Sequence, residues 1–306
     1  MHPALSIIAF TTSSGLGYGL AVVLGLGLLD PATLAAKVAH VIAGLLIVGG
    51  LMSSTLHLGN PQRAWRALSQ WRTSWLSREG VLAIVTFVPF GLLTIATLFF
   101  DRWWMVAGIA TALLSLVTVY CTAMIYASLK AIDAWHTPLT PASYLSFALA
   151  GGFTTGAAFA AMGGGWFEPL AIVAAVALVV AWATKLMWRN RMMTVRPTST
   201  PESATQLGAI GRVRLFEPPH MNGNYLTREM GYRVARKHAR KLAIIAVVAG
   251  GVLPILLLVV AIAAGTGPAQ VVLAVIVVLF HAIGVVVERW LFFAEARHAV
   301  SNYYGQ

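Results

Sequence analysis

Eight apolar runs, each long enough to cross a lipid bilayer, constrain the fold of this 306-residue chain more than any other feature. A membrane-spanning helix needs about 20 predominantly apolar residues. Only 10% of the residues are charged, against about 25% in soluble domains, and the mean hydropathy is +0.79. The runs cover approximately residues 7–29, 38–56, 81–100, 105–129, 141–162, 169–187, 242–264 and 271–293. The sequence therefore predicts an all-α integral membrane protein, with a single eight-helix membrane domain over residues 1–306.

Lysine and arginine are distributed unevenly between the two ends of these predicted helices. Only Lys37 and Arg102 fall toward one end. The other 19 of the 21 basic residues fall toward the face that carries both termini and the even-numbered loops: Arg63, Arg66, Arg72, Arg78, Lys130, Lys185, Arg189, Arg191, Arg196, Arg212, Arg214, Arg228, Arg233, Arg236, Lys237, Arg240, Lys241, Arg289 and Arg297. Because cytoplasmic loops are enriched in Lys and Arg, we expect a multi-pass protein of the cytoplasmic (inner) membrane, with both termini and a long loop at about 189–241 in the cytoplasm.

The net charge of +11 and the single cysteine exclude several other classes. The charge is explained by this topology and by the lipid bilayer, so no nucleic-acid partner is expected. One thiol, Cys121, cannot form an internal disulfide, a cysteine-ligated iron–sulfur site or a C-x-x-C-H haem attachment. Any iron–sulfur relay must therefore belong to a partner.

The segment between the second and third runs, residues 57–79, is the strongest functional signal. It reads HLGNPQRAWRALSQWRTSWLSRE and concentrates ionisable residues at the rim of the apolar region. Such groups are costly there and usually serve a function or an interface. His57 ends the second run, and Pro61 stops the helix because it lacks a backbone donor. Glu79 precedes the third run, where it could also be a simple helix N-terminal carboxylate, with Ser77 as a possible N-cap.

These residues make chemical sense as a site for a quinone head group. A quinone needs a hydrogen-bond donor or charged group near each carbonyl, and an acid–base group that exchanges protons as electrons are transferred. Histidine titrates near neutral pH, and a carboxyl group partly removed from water can do so as well. His57 and Glu79 are therefore the candidate catalytic residues, and no metal site is predicted.

The same segment resembles the membrane anchor subunit of dimethyl sulfoxide reductase (the DmsC family), in which a near-identical H-L-G-x-P-x-R-A motif closes the second helix and a Ser-x-Glu opens the third. The resemblance extends to the eight-helix layout, to GYRVARKHARKL before the seventh run and to ERWLFFAEARH at the end of the eighth. It implies a haem-free quinone site with its functional residues at His57 and Glu79. Asn60 stands where some members have a small hydroxyl residue. The candidate quinone contacts are His57, Asn60, Arg63, Ser77, Arg78 and Glu79.

The predicted topology separates members of this family. In the dimethyl sulfoxide reductase type the motif lies outside the cytoplasm, whereas the charge distribution predicts a cytoplasmic motif here, as in the anchor of the sulfite-oxidising SoeC type. That resemblance implies a molybdopterin catalytic subunit that oxidises sulfite to sulfate. It also implies a ferredoxin-like iron–sulfur subunit, docked on the cytoplasmic face, that passes electrons to ubiquinone or menaquinone. The protein would then be a subunit of an oxidoreductase with no molybdenum or iron–sulfur centre of its own.

Three other functions stay open at this point: an anchor of a dimethyl sulfoxide reductase-type complex that oxidises quinol, a purely structural anchor, and a transporter. A transporter is expected to have discontinuous helices and ionisable groups near the bilayer midplane, whereas the charges here crowd one rim. His40 and His281 lie at different depths, so a haem held between them is not expected. Glu288, Arg289, Glu295 and Arg297 are predicted to pair within the end of the eighth helix.

Overall fold

The computed structural model describes residues 3–55, 60–195, 197–217 and 234–304, and all regular structure in these ranges is helical. Within these ranges, eight helices are long and apolar enough to cross a membrane. Seven are α1 Leu5–Gly25, α2 Leu34–Thr55, α3 Trp75–Phe100, α4 Met105–Ala127, α5 Leu139–Gly164, α6 Phe167–Thr194 and α8 Pro268–Ala294. The seventh in order, α7, runs through three consecutive segments, Val234–Val247, Val248–Val252 and Leu253–Ala263. The predicted all-α, eight-helix class is confirmed.

Helix α1 lies in the centre of the bundle and α3 lies at its edge. In the most apolar stretch of α1, 72% of the residues are buried, against 28% in α3. Helix α1 packs against α2, α4 and α5. Its approach to α5 is close because Gly19 meets Gly152, where an added Cβ would collide with the backbone of Gly19. Small residues allow such backbone contact between helices, while exposed side chains such as Val88 of α3 face outward, as expected toward lipid.

The helices alternate in direction, so the loops fall on two faces. We call the face with the start of α1, the loops after α2, α4 and α6, and the end of α8 the motif face. On the opposite face an ion pair of 2.6 Å between Lys37 Nζ and Asp101 Oδ1 joins α2 to the end of α3. Lys185 and Arg289, counted above toward the motif face, are buried within α6 and α8. Without these two, seventeen basic residues are assigned to the motif face and two to the opposite face. The assignment of the motif face to the cytoplasm stays a prediction.

Two helix boundaries differ from the sequence expectation. Helix α3 begins at Trp75 rather than at residue 81, and its N-cap is Ser74, which accepts a hydrogen bond from the Ser77 backbone N–H at 3.5 Å. Ser77 is therefore in the first turn and is not the cap. Helix α6 continues to Thr194, so the loop predicted at 189–241 is shorter at its start. The described part of that loop contains a one-turn helix, Pro201–Thr205, and residues 218–233 lie outside the described ranges.

Candidate functional site

Glu79 lies near the motif-face end of α3, and its side chain turns into the bundle. The residue is only 5% exposed. The Thr122 hydroxyl, near the end of α4, donates a hydrogen bond to Glu79 Oε1. Among the described residues, no Lys, Arg or His forms an ion pair with this carboxyl group. Glu79 is thus a buried acid held by a neutral donor.

Further hydroxyl groups continue from Thr122 along the contact between α3 and α4. Thr122 Oγ1 lies 3.1 Å from the Thr118 carbonyl oxygen, and Thr118 Oγ1 lies 3.2 Å from Thr86 Oγ1 on α3. All of these threonines are buried. The environment of the carboxyl group is therefore polar, and it is provided by hydroxyl groups of α3 and α4.

The polar segment before α3 folds back onto the start of that helix. Residues Pro61–Gln70 form a 3-10 helix that packs against α3. The Ser77 hydroxyl donates to the Ala67 carbonyl oxygen. Gly80 allows Leu68 to approach, since a Cβ on Gly80 would come within 2.8 Å of Leu68 Cδ2. Ser77 thus fixes the segment beside Glu79, whereas its contact with a head group stays a prediction.

Arg78 is bound to the backbone of the same segment. Its Nε donates to the Trp71 carbonyl oxygen at 3.0 Å, and its Nη2 donates to the Arg72 carbonyl oxygen at 2.7 Å. Its guanidinium carbon lies 4.2 Å from the centroid of the Trp75 ring, a cation–π contact. The observed contacts of Arg78 therefore position the turn into α3, and contact with a ligand stays a prediction.

The remaining predicted site residues are not joined to Glu79 by any described hydrogen bond. Asn60 and Arg63 are exposed at the start of the 3-10 helix, where the Arg63 backbone N–H donates to the Asn60 carbonyl oxygen at 3.0 Å. His57 lies outside the described residues. The structure thus brings Ser77, Arg78 and Glu79 together at the start of α3, with Asn60 and Arg63 on the exposed side of the segment that packs against it.

Comparison with known proteins gives the family of this protein. The family model described as DMSO reductase anchor subunit (DmsC) matches residues 1–294, a range that contains the whole candidate site. The protein belongs to this anchor family. It is 32% identical to the C subunit of sulfite dehydrogenase from Allochromatium vinosum over 329 aligned positions that cover 99% of each sequence. It is 26% identical over 203 positions to the C component of anaerobic dimethyl sulfoxide reductase from Escherichia coli, covering 62% of this sequence and 70% of that one. No solved structure matches.

The anchor contains a second buried carboxyl group, whose partner on another helix was not predicted from the sequence. Glu288 of α8 forms an ion pair with Lys185 of α6, with Nζ 2.6 Å from Oε1, and its Oε2 lies 3.4 Å from Arg289 Nε. Glu295 pairs with Arg189 of α6, whose Nη2 lies 2.9 Å from Oε1. The predicted pairing within the end of α8 is confirmed for Glu288 and Arg289, but the shortest contact of each acid is to a basic residue of the neighbouring helix α6. The sequence signal for this pairing was Lys185, because a charged residue inside an apolar run usually pairs with another charged group.

His281 is fully buried between α7 and α8. Its Nδ1 lies 2.9 Å from the Gly250 carbonyl oxygen, and its ring stacks on Phe147 with centroids 6.4 Å apart. Through these contacts the ring is part of the packing of α8 against α5 and α7. In the described ranges no group of three or more His, Cys, Asp or Glu side chains could hold a metal ion, and the expectation of a site without metal or haem stays a prediction.

Proposed function

We propose that this anchor passes electrons from a ferredoxin-like iron–sulfur subunit to membrane quinone, within a three-subunit complex whose molybdopterin subunit oxidises sulfite to sulfate in the cytoplasm. Membership of the anchor family supports the role in an oxidoreductase complex. The relative from sulfite dehydrogenase matches essentially the whole sequence and supports the sulfite reaction. The surplus of basic residues on the motif face supports a cytoplasmic position for that face and for the docked partners.

The observation that carries the quinone assignment is the buried Glu79 beside the motif segment. A carboxyl group with 5% exposure and no ion-pair partner among the described residues has a costly charged form. Packing alone would favour an apolar side chain there. An acid at this position is explained if its carboxyl group gains and loses a proton beside a bound quinone.

The proposed chemistry gives each of these residues a role. Reduction of a quinone to a quinol consumes two electrons and two protons. The electrons come from the iron–sulfur subunit on the motif face, and Glu79 supplies one proton to a quinone oxygen. His57, in the adjoining motif, is the candidate donor to the other oxygen. Ser77 and Arg78 hold the turn that joins the two parts of the site, while the isoprenoid tail remains in the lipid.

Replacement of Glu79 by Gln in the assembled complex tests this function. Glutamine keeps the size of the side chain and an acceptor for Thr122, but it cannot exchange the proton. We expect quinone-linked sulfite oxidation to fall by about 10²-fold or more, the size of a lost general acid–base contribution, while turnover with an artificial electron acceptor continues. Glu168→Gln, at an exposed glutamate on the opposite face, is the matched control.

The outcomes separate the proposal from its alternatives. Quinone-linked turnover that is equal in Glu79→Gln and Glu168→Gln would contradict the proton role of Glu79. A purely structural anchor would purify with its partners but without quinone, which extraction and analysis of the head group would reveal. An anchor that oxidises quinol, as in a dimethyl sulfoxide reductase-type complex, would couple quinol oxidation to reduction of an added substrate.

A further inference from the structure

A small cavity with polar groups on one part of its wall lies next to Thr122, the hydrogen-bond partner of Glu79. Its volume is about 20 Å³. A water molecule needs roughly 10–15 Å³ of such space and two to four polar partners. Hydroxyl groups of α1, α4 and α5 and one guanidinium group of α8 provide the polar lining: Thr11, Thr12, Ser14, Thr122, Tyr144 and Arg289. The cavity therefore fits one bound water molecule.

Three groups in this lining need a partner of that kind. Thr12 Oγ1, the Tyr144 hydroxyl and Arg289 Nη1 are buried and have no hydrogen-bond partner among the described protein atoms. Such groups are costly unless protein or ordered water satisfies them. On the α4 side, Thr122 lines the cavity and donates to Glu79. A water molecule here would be one hydroxyl group away from the Glu79 carboxyl.

On the α8 side, the cavity leads to the buried ion cluster. The guanidinium carbon of Arg289 lies 3.7 Å from the centroid of the Tyr144 ring, and Arg289 Nε lies 3.4 Å from Glu288 Oε2. Glu288 Oε1 is 2.6 Å from Lys185 Nζ. This cluster has two positive groups and one negative group, and all three residues are almost fully buried. Titratable side chains therefore continue the line of polar groups across the bundle.

The far side of the cluster reaches the protein surface. An apolar groove of about 320 Å³ lies between α6, α7 and α8, and Lys185 and Glu288 are part of its wall. Arg189 and Arg240 line the same groove. Arg240 is exposed, in the basic start of α7. The cluster thus has contact with the outside through a different opening from the motif segment.

We propose that these groups form a proton path to Glu79, from the groove through Lys185 and Glu288, the water held by Thr12 and Arg289, and the Thr122 hydroxyl. The path rests on the proposed quinone function. After Glu79 has given its proton to a quinone oxygen, Lys185 gives a proton to the Glu288 carboxylate and takes another at the groove. Glu288 passes the proton to the water molecule, which passes one through the Thr122 hydroxyl to Glu79. Arg289 keeps its protons and only orients Glu288 and the water. The path groups end unchanged, and the electrons come separately from the iron–sulfur partner.

The decisive variant is Thr12→Val in the assembled complex, because it removes a water ligand without touching Glu79. We expect quinone-linked turnover at saturating quinone to fall about tenfold, the size of one lost hydrogen bond, and its solvent deuterium isotope effect to rise. Quinone affinity and artificial-acceptor turnover should be unchanged, and Thr12→Ser should restore the wild-type rate. Thr111→Val is the control, since Thr111 is equally buried but donates to the Ala107 carbonyl oxygen of its own helix at 2.7 Å.

Equal turnover and equal isotope effects in Thr12→Val and Thr111→Val would overturn the path. If Thr12→Val does not assemble, the double variant Lys185→Met/Glu288→Gln interrupts the outer part of the path and should show the same slow turnover and raised isotope effect. Wild-type behaviour of that double variant would also overturn it. A Glu79→Gln variant with normal quinone turnover contradicts the proposed function itself, whereas a slow Glu79→Gln with normal path variants contradicts the path alone.

Discussion

Two buried glutamates at the motif-face ends of their helices show how differently the same side chain is accommodated. Glu79, on the edge helix α3, accepts a hydrogen bond from Thr122 and has no ion-pair partner among the described residues. Glu288, on α8, lies 2.6 Å from the Lys185 ammonium group and 3.4 Å from the Arg289 guanidinium group. Both residues are at most 5% exposed. The two glutamates are therefore similarly buried, but among the described residues only Glu288 has positively charged partners.

This difference separates an acid whose charge stabilises the fold from one whose charge does not. A buried carboxylate between two cations is charged at rest, and permanent loss of its charge would leave the cations uncompensated. A buried carboxyl group beside a neutral hydroxyl has no such constraint and can be protonated without leaving an unpaired charge. The comparison therefore predicts that a neutral substitution at Glu288 alone destabilises the protein, and that one at Glu79 lowers turnover with little effect on stability.

The largest expected effect on stability is that of Glu288→Gln. Removal of the carboxylate leaves Lys185 and Arg289 as two buried like charges, and breaking a buried pair in this way costs about 3–5 kcal/mol. We expect a strong fall in the thermal midpoint of the purified complex and in the amount of anchor in membranes, measured by thermal unfolding in detergent and by quantitative blotting.

The double variant Lys185→Met/Glu288→Gln is the control for this prediction. It removes one positive and one negative group, so the net charge of the cluster is kept. Replacing a buried pair by neutral groups is often nearly neutral for stability, and most of the lost stability should return. A single Glu288→Gln variant as stable as the double one would show that the ion pair does not hold α6 and α8 together.

Thr122→Val should have an intermediate effect. It removes the described donor to Glu79 and keeps the shape of the side chain, and a buried polar group left without its partner costs about 1–3 kcal/mol. Thr111→Val, on the same helix, removes a hydroxyl group that donates only to its own helix and should cost less. Thermal unfolding of the two variants side by side measures the difference, and equal midpoints would mean that the Thr122 hydrogen bond does not stabilise the site.

The sequence predicts the eight spans because apolar length alone indicates a membrane helix. It misplaces the start of α3 at residue 81, since Ser77, Arg78 and Glu79 do not raise the hydropathy although they are helical. The Ser74 cap and the bonds of Arg78 to the preceding segment extend the helix to Trp75. Polar residues at the end of a span can thus belong to the helix when their backbone and side-chain hydrogen bonds are satisfied locally.

The partners of both glutamates could not be predicted in the same way. In helices that are apolar on every side, no 3.6-residue pattern shows which face is turned inward. The meeting of Glu79 with Thr122 depends on the rotation of α3 and α4 about their axes. The pairing of Glu288 with Lys185 joins residues of α8 and α6 that are far apart in the sequence. The chemistry of single residues was therefore visible in the sequence, while their pairing required the packed bundle.

The smallest expected effect on stability is that of Glu79→Gln, whose effect on turnover is expected to be large. Glutamine offers Thr122 the same kind of acceptor and leaves no cation unpaired, so the free energy of unfolding should change by less than about 1 kcal/mol. Thermal unfolding of Glu79→Gln and Glu288→Gln under one set of conditions measures the contrast directly. If both substitutions destabilise the complex equally, Glu79 has an ionic partner in the assembled protein, and the distinction between the two glutamates fails. If Glu79→Gln is stable and slow with quinone, the neutral surroundings of Glu79 are the property that makes it useful for proton exchange.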